Sequence, residues 1–94
     1  MNQAQERVVI SVLGMNKPGI LAGITRAIAD SNVNIDDVTQ SILQDLFALI
    51  MITDFTNANC QFEEFQSRMA KAAESLKVKI LVQHEDVFKF MHRV

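Results

Sequence analysis

The sequence predicts an α+β fold in which a four-stranded antiparallel sheet carries two helices on one face. Short segments rich in β-branched residues alternate with two longer segments whose apolar residues recur every three or four positions. The chain has 94 residues, 49% of them hydrophobic, which is enough for one compact core. We therefore expect residues 1–94 to form a single domain.

The first part of the chain predicts a strand followed by a helix. Residues 7–13 are rich in β-branched side chains and are followed by Gly14, which indicates the end of a first strand. Pro18 is typical of the first turn of a helix, where its missing N–H costs nothing. Apolar residues then follow helical spacing, so we expect the first helix to end near Ser31.

The middle of the chain predicts a hairpin. Residues 34–43 carry polar and charged side chains throughout, which favours an edge strand. Gln44 and Asp45 form a two-residue link without the glycine that such turns prefer. Residues 46–53 are apolar on both sides, which indicates a central strand that is covered on both faces.

The last part of the chain predicts a helix, a strand and a short tail. Residues 57–59 form a loop that could cap the second helix, which spans about 60–75. Alternating apolar residues indicate a fourth strand at 78–82, and residues 86–91 read as a closing helix or an ordered tail. The order βαββαβ is the ferredoxin-like arrangement, whose usual sheet order is 4-1-3-2.

Composition and motifs exclude several kinds of function. The net charge of −2 offers no basic stripe for nucleic acid, and the longest apolar run, 46–52, is too short to span a membrane. His84 and His92 have no metal-binding spacing, and the only cysteine, Cys60, has no histidine near it in sequence. We therefore expect no metal, cofactor, nucleic-acid or membrane partner, no enzymatic activity, and a cytoplasmic location.

One segment could bind a ligand, the turn between the first strand and the first helix. The N–H groups of a helix's first turn have no helical partners and can receive a carboxylate. Gly14 and Gly19 would let a ligand approach the backbone, and Asn16 offers both a donor and an acceptor. The alternative is a plain strand-to-helix turn, with Gly14 for backbone geometry and Pro18 for helix initiation.

The same segment resembles the opening of ACT domains, in the phrase Gly14-x-Asn16-Lys17-Pro18-Gly19-Ile20-Leu21. Residues 32–38 resemble the start of that family's second strand. Residues 85–94 resemble the tail of a small group of bacterial stand-alone ACT proteins. The resemblance covers almost the whole chain.

The resemblance implies a regulatory module that binds a small molecule, an amino acid, and acts on a metabolic enzyme or transcription factor. It also implies side-by-side homodimers joined through edge strands. The ligand site would then lie where the turn meets the second strand of another copy. By position, the implied site residues are Gly14, Asn16, Gly19, Ile20 and Leu21 of one copy with Val38, Thr39 and Gln40 of the other.

The residues themselves also favour a dimer. The edge strand 34–43 is long and has no proline, so its backbone can pair with another copy. The face of the sheet without helices needs a cover, which a second copy or the tail with Phe88 and Phe90 could provide. The alternative function is an assembly domain that binds no ligand.

Overall fold

The computed structural model describes residues 6–91, so residues 1–5 and 92–94, including His92, lie outside the described part. In chain order the elements are β1 (Arg7–Met15), α1 (Ile20–Asp30), β2 (Asn34–Leu43), β3 (Leu46–Asp54), α2 (Phe62–Leu76), β4 (Lys79–His84) and α3 (Glu85–Met91). The four strands form one sheet in the order β2-β3-β1-β4, with all neighbours antiparallel. The predicted ferredoxin-like topology is therefore confirmed.

The core lies between the sheet and the two long helices. Val8, Ile10 and Val12 of β1 face this side and are buried together with Ile24 of α1 and Phe65 of α2. Alternate residues of a strand point to opposite faces of the sheet. The odd-numbered residues of β1 from Val9 to Met15 therefore lie on the other face. Their partners on β3 and β4 share that face, as do the β2 residues that pair with those of β3. We call this surface the open face.

The short helix α3 covers one end of the open face. It follows β4 directly and contacts β1 and β4. Val9, at this end, is only 2% exposed, whereas Leu13, four residues further along the same face, is 47% exposed. The predicted closing helix is confirmed, and it begins one residue earlier than expected, at Glu85. It leaves the rest of the open face exposed.

The start of α1 differs from the sequence prediction. The helix begins at Ile20, and Pro18 lies in the preceding turn instead of in the first helical turn. Gly19 is the N-cap and has a left-handed backbone, with φ of 87°. A left-handed residue cannot belong to a right-handed helix, so the helix can begin only after Gly19.

The predicted cap of α2 by residues 57–59 is also wrong. Gln61 is the N-cap, and no side-chain hydrogen bond caps this end. The Asn59 amide turns to α1 instead and donates to the carbonyl of Asp30 at 2.9 Å. The loop residue thus closes the end of the preceding helix.

Arg68 of α2 joins these same parts of the chain. Its guanidinium donates to the Ser31 hydroxyl at 2.9 Å, to Asn59 Oδ1 at 3.0 Å and to Glu64 Oε2 at 2.7 Å. The hydrogen bond that Arg68 donates to the Glu64 carboxylate raises the pKa of Arg68. Ser31 is fully buried, and Arg68 therefore connects α2 to the end of α1 inside the fold.

We expect Arg68→Ala to lower the free energy of unfolding more than Arg26→Ala does, because the Ser31 hydroxyl and the Asn59 amide oxygen lose a charged donor. Urea denaturation measures this change. Arg26→Ala is the matched control, since the Arg26–Asp30 ion pair is largely exposed and such pairs contribute at most about 1 kcal/mol. Equal losses in both variants would contradict the bracing role of Arg68.

Candidate functional site

The turn between β1 and α1 leaves backbone donors available at the helix start. Gly19 has no side chain with which to cap the helix, and the first helical bond runs from Gly23 N to Gly19 O at 3.0 Å. The N–H groups of Ile20, Leu21 and Ala22 precede that bond, so the helix gives them no acceptor. An added Cβ at Gly19 would meet nothing within 4 Å, so the space beside the cap is open.

The Asn16 backbone is fixed, whereas its side chain is exposed. Asn16 N donates to Asp45 O at 2.7 Å, which ties the turn to the tip of the β2–β3 hairpin. The hairpin link at residues 44–45 is confirmed, and Gln44 adopts the left-handed backbone, with φ of 57°, for which glycine would be usual. The exposed Asn16 amide thus extends from a backbone that the hydrogen bond to Asp45 O holds in place.

The end of α2 and the connection from α2 to β4 pack against Gly14, the turn and the first part of α1. A Cβ at Gly14 would lie 2.7 Å from Val78 Cγ1, and one at Gly23 would lie 2.9 Å from Leu76 Cδ2. The Lys17 ammonium donates to Leu76 O at 3.4 Å. Gly14 is therefore needed for close packing within the chain, and its own backbone φ is not in the left-handed region.

The three strand residues of the implied site lie away from this turn within one chain. Val38, Thr39 and Gln40 pair with Met51, Ile50 and Leu49 in the middle of β3, whereas the turn adjoins the hairpin tip. All three are exposed on the edge strand. Within one chain, the residues of the β1–α1 turn lie together, but Val38, Thr39 and Gln40 do not reach them. These three strand residues could contact such a turn only if it belonged to another copy.

A hollow of about 500 Å³ lies at the end of the fold opposite to the β1–α1 turn. It is lined by Ala29, Asn32, Val33, Asn34, Asp54 and Asn57. Hydrogen bonds from the Thr56 hydroxyl and backbone lower the pKa of the Asp54 carboxyl, with Thr56 N at 3.0 Å. The Asp54 carboxylate thus accepts hydrogen bonds from the loop that directly follows it.

His84 and Cys60 both lie beside apolar side chains. Within residues 6–91 no cluster of three His, Cys, Asp or Glu side chains could hold a metal ion. His84 stacks on Phe62 with ring centroids 4.0 Å apart, and Cys60 is half-buried beside the core. Among the described helices the longest has 15 residues, and none has the length and hydropathy that a bilayer requires.

Sequence reasoning missed the contribution of Leu76 and Val78 to the turn. One signal was available, because Gly23 lies inside a helix, where glycine costs about 1 kcal/mol relative to alanine. A glycine kept at that cost indicates a close approach by another part of the chain. The partner itself could not be identified from sequence, since it lies more than 50 residues away.

Comparison with known proteins gives a consistent result. A family model described as the ACT domain matches residues 6–83. The UPF0237 protein of Methanocaldococcus jannaschii is 48% identical over 88 residues, which cover 94% of this chain and 98% of that protein.

Solved structures agree with the sequence comparison. An ACT domain protein from Streptococcus pneumoniae has a TM-score of 0.78 and 28% identity, and the match covers 92% of this chain and 97% of that one. The regulatory subunit of aspartate kinase from Thermus thermophilus has a TM-score of 0.65 and 14% identity, covering 85% of this chain and 52% of that one. The second likeness shows the fold alone.

We expect Gly14→Ala to lower the free energy of unfolding by about 1–3 kcal/mol, because the new methyl group overlaps Val78. Adding Val78→Ala should recover part of this loss, as a double-mutant cycle in urea would reveal. Gly19→Ala is the control: its cost of about 1–2 kcal/mol comes from backbone strain, which Val78→Ala cannot relieve. Strict additivity at position 14 would contradict the packing role.

Proposed function

This chain belongs to the ACT domain family, whose members are generally regulatory modules that bind small molecules, and from this we propose that it senses an amino acid as a homodimer. The proposed site consists of Asn16, Gly19, Ile20 and Leu21, with Gly14 shaping the turn behind them. Val38, Thr39 and Gln40 of a second copy complete it.

The glycine cap of α1 is the observation that carries the proposal. Three backbone N–H groups at the helix start have no acceptor within the helix, and a glycine in place of Ser or Asp gives them no side-chain acceptor. A Cβ at Gly19 would meet nothing within 4 Å, so there is open space beside this cap. The partial positive charge of the helix start favours an anion there. A carboxylate of the ligand is the group that fits.

Asn16 supports an amino acid as the ligand. Its side-chain carbonyl can accept a hydrogen bond from an ammonium group, while its NH₂ group can donate to a carboxylate. A neutral amide binds an ammonium group less strongly than a carboxylate does. We therefore expect the ligand's carboxylate, bound at the α1 N–H groups, to contribute most of the affinity.

The edge strand supports the homodimer. Every residue of β2 except Ile35 is exposed, and its outer backbone groups face no other strand of the sheet. The apolar side chains of Val38 and Ile42 are exposed on this edge, and Leu21 of α1 is exposed as well. An exposed edge with apolar side chains favours pairing with another strand.

The regulatory output would pass to another protein. The aspartate kinase neighbour is described as a regulatory subunit, which favours a regulated enzyme as the partner of this chain too. A transcription factor is the other partner class. We propose no catalytic activity of its own and a cytoplasmic setting, in keeping with a single, half-buried cysteine.

A ligand-free assembly domain is the second candidate. The exposed apolar residues of β2 favour it, because they would be buried by association whether or not a ligand binds. Ligand screening separates the two functions, since only the sensing module is stabilised by a small molecule.

We expect at least one of the twenty amino acids, at millimolar concentration, to raise the melting temperature. At about 100 times the Kd, binding stabilises by about 2.7 kcal/mol, which raises Tm by roughly 10 °C in a domain of this size. Asn16→Ala should abolish or greatly reduce the shift. Asn57→Ala, in the hollow at the other end of the fold, should leave it unchanged.

The outcomes separate the alternatives. A shift that only Asn57→Ala removes would assign the ligand to the opposite hollow and contradict the proposed site. No shift with any amino acid would favour the assembly domain.

We expect Ile42→Lys to weaken edge-to-edge association, because it places a charge on an exposed apolar position of β2. Light scattering across a dilution series measures the mass, and the apparent Kd should rise at least about tenfold. Ser67→Lys, at an exposed position of α2, adds the same charge and is the control for a change of charge alone. An unchanged mass in Ile42→Lys would contradict pairing through β2.

A further inference from the structure

We propose that the open face is a second self-association surface, which packs against the open face of another copy. This surface is distinct from the β2 edge of the proposed function. Each can therefore exist without the other, and both together would assemble four chains.

The strand register arranges the exposed part of the open face in rows across the sheet. The central row consists of Leu81, Ser11, Ile50 and Thr39, and the next consists of Lys79, Leu13, Ala48 and Ser41. Ile50 and Leu81 are 41% and 52% exposed, although β3 is a central strand. Met15, Leu46 and Leu43 extend the apolar surface toward the hairpin.

The helix α3 makes this surface uneven. Phe88 lines a hollow of about 530 Å³ together with Leu13, Ile50, Lys79 and Leu81. Two residues further along a helix point about 200° away, so Phe90 faces away from Phe88. Phe90 is 72% exposed. The open face thus has a ridge with an apolar outer side at one end and an apolar hollow beside it.

A second copy complements this shape. A two-fold axis along the central row exchanges the two ends of the face, so it brings the α3 ridge of each copy over the hollow of the other. Such an interface uses the same patch on both chains and closes at two copies. Phe90 would then be buried beside the exposed leucines of the other copy.

The charges on the open face complement each other under the same axis. Lys79 lies at the hollow end, and Asp86 is exposed in the first turn of α3 at the opposite end. The axis brings Lys79 of one copy near Asp86 of the other, and the pair occurs twice. Opposite charges that meet across an interface favour this partner and this orientation.

The area is sufficient for a specific interface. Three strands of nine or ten residues and β4 of six residues form a sheet of roughly 20 Å by 30 Å at its longest, so each copy contributes on the order of 500 Å². Two copies then bury on the order of 1,000 Å², which is the lower limit for a specific protein interface. A patch on the order of 500 Å² per copy is comparable to the largest exposed patch of a typical monomer, which is often a functional surface.

A charge exchange tests the proposal. Lys79→Asp and Asp86→Lys should each raise the Kd of this association at least about tenfold, measured by sedimentation of the full chain. The double variant Lys79→Asp/Asp86→Lys should restore wild-type association, because the pair is re-formed with its signs exchanged. Lys71→Asp, the control on α2, should change nothing. Additive losses in the double variant would overturn the proposed pairing.

Leu81→Asp tests the apolar part of the surface and separates it from the edge. Ile42→Lys and Leu81→Asp should each halve the mass of a four-chain assembly, and the two together should give monomers. If only Leu81→Asp lowers the mass, the open-face proposal stands and the edge pairing fails. An unchanged mass in Leu81→Asp overturns the proposal. The hollow would then be open to a different occupant, either a small apolar molecule or another protein.

Discussion

The antiparallel register between β1 and β3 determines what each face of this protein does. It places Val8 opposite Thr53 and Ile10 opposite Met51 on the side that the helices cover. The buried Thr53 hydroxyl donates to Val8 O at 2.7 Å, an acceptor that this register places opposite it. A slip of one residue would turn the core side chains of the slipped strand to the open face. The helical core and the open face are thus two consequences of one alignment.

The candidate site depends on this alignment because β1 leads directly into it. The same pairing continues to Met15 opposite Leu46, after which Asn16 N is held by Asp45 O. The connection from α2 to β4 closes on the turn through Val78 and Leu76. Three separate parts of the chain therefore fix the start of α1. A ligand bound there would be bound to a preformed backbone, which lowers the entropic cost of binding.

Much of this architecture could be predicted from the sequence, because it follows from local periodicity. The β-branched run of β1, the apolar run of β3 and the helical spacing of α2 each indicate their own element. The two errors have different origins. Pro18 stays outside α1 because the next residue, Gly19, turns left-handed, and the spacing of apolar residues does not reveal that backbone conformation. Asn59 closes α1 instead of capping α2 because Asp30 and Arg68 lie beside it, and these partners cannot be found from neighbours in sequence.

The sequence by itself determined the order of the elements, the sheet topology and the glycine-flanked turn that opens α1. These depend on the period of the side chains and on the backbone freedom of a few residues, which are local properties. Only the tertiary structure decided why Gly14 and Gly23 are glycines, which end of the open face α3 covers, and that Val38, Thr39 and Gln40 lie away from the turn in one chain. These depend on contacts between residues far apart in sequence, and such contacts exist only once the sheet has paired and the helices have packed on it.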